Sequence, residues 1–73
     1  MKLSELKKGD SGTIVKINAL KDLKRRFASF GIYKGCKFEI IECSLGGNTL
    51  ELKVGNTMIA LRRGEGEKIE VEL

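Results

Sequence analysis

The sequence predicts a mostly β protein: a small, partly open barrel of five strands, with one helix between the first and the second. Three observations carry this reading. Over most of the chain, short runs alternate apolar and polar residues, the period of a half-buried strand. Between Leu20 and Phe30 the apolar spacing changes to steps of three and four, the period of one helix face. Glycine-containing breaks separate the runs at close intervals, as in small closed β folds, and the chain has no proline. With 73 residues there is room for one domain, read as spanning 1–73. A core of that size supplies net stability on the order of 3–5 kcal/mol.

The elements follow in order. "LSEL" at 3–6 reads as a single helical turn with Ser4 as its N-cap. "GDSG" at 9–12 reads as a turn bracketed by Gly9 and Gly12, and the β-branched "TIVKI" at 13–17 as the first strand. Leu20, Leu23, Phe27 and Phe30 then form the inward stripe of the helix, with Asn18 at the N-cap position and Lys21, Lys24 and Arg25 on the other side. Gly31 stands where a C′ glycine stops a helix, and Ile32 can fold back onto the helix end. Arg25 and Arg26 suit the negative end of the helix dipole. Gly35 turns the chain into the second strand.

That strand is "KFEIIEC" at 37–43, with Phe38 and Ile40 on one face. "LGGN" at 45–48 is a turn, and "TLELKV" at 49–54 alternates Leu50, Leu52 and Val54 against Glu51 and Lys53. "GN" at 55–56 is a hairpin turn into "TMIAL" at 57–61. "RRGEGE" at 62–67 breaks the pattern, and "KIEVEL" at 68–73 resumes it with Ile69, Val71 and Leu73 inward.

Composition narrows the function. No apolar run approaches the ~20 residues of a membrane-spanning helix, and "MKLSELKKGD" has no apolar signal region. The expected setting is cytoplasmic. Residues 1–35 hold nine Lys/Arg against three Asp/Glu, a net +6, while residues 36–73 hold five against seven, a net −2. The front half is therefore the face for an acidic partner. Histidine is absent, which removes Ser–His–Asp and Cys–His catalysis. "GEGE" lacks the Lys-Ser/Thr of a phosphate loop, so no enzyme is expected.

Cys36 and Cys43 stand seven residues apart, an odd step that puts them on opposite faces of a regular strand, unable to pair or to share one ion; a bulge between them would undo this. Unpaired thiols also suit a reducing compartment. Glu70 and Glu72 share a strand face and could hold a hard cation weakly, but charged residues on an edge strand are more simply read as solvated. No metal ligand set and no cofactor are assigned.

Three stretches in sequence order resemble one family. They are "LKKGDSGTIVKI", "RRFASFGIYKGCKFEI" and "GNTMIALRRGEGEKIEV", reaching from Leu3 to Val71. They are similar to the motifs of ferrous-iron transport protein A, FeoA, whose domain type is shared with the C-terminal domain of diphtheria-toxin-type metal repressors. Phe27 and Phe30 stand where that family usually has leucine. Gly66 stands where it usually has alanine, which is expected to loosen the last turn.

The resemblance implies an SH3-like barrel and a non-catalytic, cytoplasmic accessory role in bacterial ferrous-iron uptake. The implied partner is FeoB, a membrane Fe(II) transporter with a GTP-binding domain, which would bring the chain to the inner face of the membrane without inserting it. Family descriptions also attach transition-metal binding to the domain type. Two alternatives stand beside the transporter reading: a metal-responsive domain, and a small basic barrel that binds single-stranded nucleic acid. The second would need exposed stacking rings, and Tyr33 is the one ring the periodicity leaves outside.

The candidate partner-binding residues are Lys24, Arg25, Arg26, Tyr33, Arg62 and Arg63. Arginine suits interfaces because its planar fork binds carboxylates while its stem packs, and a tyrosine beside it can anchor. The simpler alternative is that one arginine pair caps the helix and the other lies in a solvated turn. Self-association is left open.

Overall fold

The computed structural model describes residues 1–44 and 46–73. Five antiparallel strands run β1 (Ser11–Ile17), β2 (Lys37–Cys43), β3 (Thr49–Val54), β4 (Thr57–Arg62) and β5 (Ile69–Glu72). Helix α1 (Lys21–Ser29) joins β1 to β2, a helical turn α2 (Arg63–Gly66) joins β4 to β5, and a 3-10 turn (Leu3–Glu5) precedes β1. The strand order is β4-β3-β2-β1-β5, so β4 and β5 lie at the two ends and the barrel is partly open. The predicted architecture is the one observed. The far side of β5 is covered by the N-terminus: Lys2 bridges to Glu70, and the Val71 N–H donates to the Met1 carbonyl at 2.8 Å.

Alternation fills the interior. Phe38, Ile40, Leu50, Leu52, Ile59, Leu61, Ile69 and Val71 come from successive inward positions and are buried together with Ile14, Phe27 and Ile32. The β3–β4 hairpin turns at Gly55, whose φ of 61° precedes an Asn56 without positive φ, as in a type II′ turn. The predicted turn at 45–48 begins at Leu45, outside the described residues.

Two bulges set the curvature. Ile14 and Lys16 pair with the consecutive residues Val71 and Glu70, leaving Val15 as the extra residue of β1; Ile40 and Glu42 pair with Leu52 and Glu51, leaving Ile41 as the extra residue of β2. A bulge bends its strand and moves the in–out alternation on by one. Cys43 is thereby set opposite Leu50 and packs against the core, so the expected facing of the cysteines is corrected. They are nonetheless far apart. Cys36 precedes β2 and Cys43 ends it, a separation of roughly 20 Å at ~3.3 Å per residue.

Helix α1 ends as expected and begins otherwise. The Ile32 N–H donates to the Phe27 carbonyl at 2.9 Å and the Gly31 N–H to the Ala28 carbonyl at 3.0 Å, a Schellman closure with Gly31 at φ 87°. At the other end Leu20, not Asn18, is the N-cap residue, and its side chain is 87% exposed. Its extended backbone, φ −67° and ψ 165°, takes it off the helical wheel that placed it inward. Asn18 instead donates from Nδ2 to Glu70 at 3.0 Å and from its backbone to the Lys68 carbonyl. Only Phe27 of the stripe is fully buried, with Leu23 and Phe30 half-buried against the core.

Other expectations are also revised. Ser4 is buried within the 3-10 turn, and that turn is capped by Glu5, which accepts the Lys2 N–H at 2.8 Å. Leu73 is 67% exposed because pairing stops at Glu72 and nothing fixes its face. Segment 62–67, read as a break, contains α2. Its Gly66 is buried, and a methyl there would stand 3.2 Å from Leu50 Cδ1 and 3.4 Å from the Ser4 nitrogen. The glycine lets α2 lie close against the 3-10 turn.

Gly12 lies within β1 and not in a turn, since the turn closes over 7–10 with Gly9 at φ 92°. A Cβ at Gly12 would fall 2.1 Å from the Glu72 carbonyl oxygen. Backbone cannot yield as a side-chain end can, so the β1–β5 pair must part. Gly12→Ala is expected to destabilise the protein by about 1–3 kcal/mol, measured as a lowered urea midpoint. An unchanged midpoint would show that the strands are not in this contact.

Candidate protein-docking surface

Three segments bring the candidate residues to the surface. Helix α1 presents Lys24, Arg25 and Arg26, the connection into β2 presents Tyr33, and the β4–α2 junction presents Arg62 and Arg63. The fold divides them by what their side chains already do.

Arg26 is committed to an ion pair. Its Nη1 lies 2.7 Å from Glu65 Oε2, and its guanidinium sits 5.7 Å above the Phe30 ring. The other oxygen of Glu65 accepts the Arg62 backbone N–H at 3.0 Å. One carboxylate thus caps α2 and ties α1 to the β4–α2 junction. Sequence reading missed this role, although a glutamate three residues after an N-cap is the capping-box spacing.

Arg63 is committed more deeply. Its Nε donates to the Gly47 carbonyl and its Nη1 to the Ser4 carbonyl. Those partners stand 16 and 59 residues away in sequence, so no local signal marks them. This arginine joins the 3-10 turn and the loop before β3 to α2.

Lys24, Arg25, Tyr33 and Arg62 are exposed. Two of them meet. Lys24 and Tyr33 line a groove of about 410 Å³ between α1 and β1, together with Lys16, Lys34, Ile17 and Ile32. Arg25, Arg62 and Arg63 lie outside this groove.

The remaining chemistry is limited. Phe27 and Phe38 are buried and Phe30 is half-buried beneath Arg26, which leaves Tyr33, 58% exposed, as the one exposed ring among the described residues. That is not a stacking platform for nucleic acid. Among the described residues, no three His, Cys, Asp or Glu side chains gather as a metal site would require. Glu65 and Glu70 are engaged with Arg26 and Asn18, and the thiols stand at opposite ends of β2. The donor set does not fit a transition-metal centre.

A partly open barrel of five antiparallel strands, with α1 between β1 and β2 and α2 between β4 and β5, defines the class as a small SH3-like β-barrel domain. The chain belongs to the FeoA family: the FeoA domain model matches residues 1–73. It is 40% identical over 73 residues to Fe(2+) transport protein A of Campylobacter jejuni, covering 100% of this chain and 99% of that one. In Porphyromonas gingivalis a relative 30% identical over 73 residues is an Fe(2+) transport protein A/Fe(2+) transporter FeoB fusion protein, in which the match spans 100% of this chain and 9% of that one. The crystal structure of Stenotrophomonas maltophilia FeoA complexed with zinc, described as a procaryotic SH3 domain protein, superposes with a TM-score of 0.85 at 30% identity over 99% of this chain and 89% of that one. A manganese-dependent transcriptional repressor shares the fold at 22% identity, with a TM-score of 0.89 over 97% of this chain and 40% of the repressor. The chain is thus an FeoA-domain protein, similar over its whole length to ferrous-iron transport protein A.

Proposed function

We propose that the chain acts as a single domain over 1–73 that binds the cytoplasmic part of a FeoB-type ferrous-iron transporter and modulates it. The observation that carries this is the fusion: a homologous domain is joined to the transporter in one polypeptide, which holds the two at high effective concentration. Separate chains would replace that tether with a docking surface. Lys24, Arg25, Tyr33 and Arg62 are exposed candidates for it; Arg26 is exposed too but paired with Glu65, and half-buried Arg63 donates to backbone carbonyls. No helix of the described residues is long and apolar enough to cross a membrane, so membrane association would come through the partner.

The test is retention of the purified chain on the detergent-solubilised transporter, alongside Fe(II) uptake in cells with and without the gene. Retention is expected, with uptake lowered in the deletion strain and restored by the wild-type gene. Arg25→Glu with Arg62→Glu is expected to weaken retention about tenfold while the fold stands, since reversing rim charges acts mainly on association. No retention together with undiminished uptake would end this reading.

A further inference from the structure

The groove between α1 and β1 has a composition that the family role does not explain. Its rim carries Lys16, Lys24 and Lys34, all exposed, and no carboxylate lines it. Its floor is apolar: Val15 and Ile17 are half-buried and Ala28 is exposed, with Ile32 fully buried behind them. Tyr33 stands beside them with most of its ring in solvent. The volume, about 410 Å³, is that of a small ligand pocket.

The surface continues past Ile17. That residue also lines a second hollow of about 440 Å³ on the other side of the start of α1, where Leu20 and Leu23 supply apolar walls and Lys68 a further cation, again with no carboxylate in the lining. The highly exposed Leu20 therefore extends the apolar surface from Ile17, with lysines and Asn18 in the lining and Glu70 held by Asn18. The Val15 bulge is what sets this up. It re-phases β1 so that Ile17 pairs with Ile69 on the core side, while Lys16 stands opposite Glu70.

We infer that this groove is a peptide-docking site that takes an acidic segment of a protein partner, with one large apolar side chain seated on Val15, Ile17 and Ala28 and flanking carboxylates on the lysine rim. This rests on the reading that the chain works through a protein partner. An apolar floor gives a buried anchor its binding energy, and a rim of one sign of charge selects the flanking residues and speeds encounter. A nucleic-acid strand would leave the apolar floor unused and find one ring to stack on. An anionic membrane is matched by a flat basic face and not by a hollow walled on both sides.

The experiment titrates the isotope-labelled full chain with three synthetic peptides, followed by backbone amide shifts. One carries a single phenylalanine flanked by glutamates, one carries glutamates alone, and one carries the phenylalanine flanked by lysines. The expected result is saturable shifts at residues 15–17, 24, 28 and 32–34 with the first peptide only. The affinity should fall about tenfold in Lys24→Glu with Lys34→Glu and fall further as salt is raised. Both lysines are exposed, so the variant's amide spectrum is expected to keep its dispersion. Equal binding of the glutamate-only peptide, or tighter binding of oligo(U) or phosphatidylglycerol vesicles at the same amides, would overturn the inference.

The same variant is then tested on the intact transporter. Loss of retention relative to wild type supports the groove as the docking site. Retention of both proteins equally would sink the groove while leaving the partner reading standing. Retention of neither would sink the partner reading, and the peptide titration then decides the groove by itself.

Discussion

Phe27→Ala is expected to leave the chain largely unfolded. Phe27 is the one fully buried residue of α1, and its carbonyl accepts the Ile32 N–H that closes the helix. Removing the ring takes away its transfer free energy and opens a cavity under the helix, a loss of about 3–5 kcal/mol. A domain of this size has only on the order of 3–5 kcal/mol in total, so the change removes most of the net stability. Circular dichroism in urea should show little or no native baseline, and the dispersed amide spectrum should collapse. Leu20→Ala, on the same sequence stripe, is the control. Leu20 is exposed, so its truncation is expected to change stability by no more than about 0.5 kcal/mol. Equal effects of the two substitutions would mean that the helix is rotated from the orientation described.

The second large effect separates two adjacent arginines. Arg63 donates to the carbonyls of Ser4 and Gly47, which joins the N-terminal turn, the loop before β3 and α2. Ser4 is buried, so Arg63→Ala leaves its carbonyl without that partner. Hydrogen bonds from a charged donor and an unpaired buried acceptor together put the cost at about 2–4 kcal/mol, after allowance for the arginine's partial exposure. Arg62→Ala removes an exposed side chain while leaving the backbone N–H that Glu65 accepts, and is expected to cost less than about 0.5 kcal/mol. The thermal midpoint should fall by several degrees or more for Arg63→Ala and stay in place for Arg62→Ala. Identical midpoints would return both residues to the surface.

These contrasts mark where sequence reading stops. Strand β2 was legible to the residue, and so was the hairpin at Gly55–Asn56, because alternation and turn chemistry are local. The end of α1 was legible for the same reason: Gly31 and Ile32 complete a motif six residues long, from Phe27 to Ile32. The bulges at Val15 and Ile41 were not legible. A bulge is a relation between two strands, and an extra β-branched residue leaves no mark on the strand that holds it. Its consequences are large even so, since one bulge turns Cys43 inward and the other sets Ile17 beneath the lysine groove.

Charge was legible as an inventory and not as an arrangement. The excess of cations in the first 35 residues and the lack of histidine were legible before any fold was known, and they set two expectations, an acidic partner and no histidine-based catalysis. Which cations remain available was settled only when the barrel closed. Closure brings Glu65 against Arg26, 39 residues away, and Ser4 against Arg63, 59 residues away. The periodicity of side chains along a strand or helix is dictated by backbone geometry and can be read from letters alone. The satisfaction of a charge depends on what folding carries to within 3 Å of it, and in a chain whose ends meet across β5 that is a property of the whole molecule.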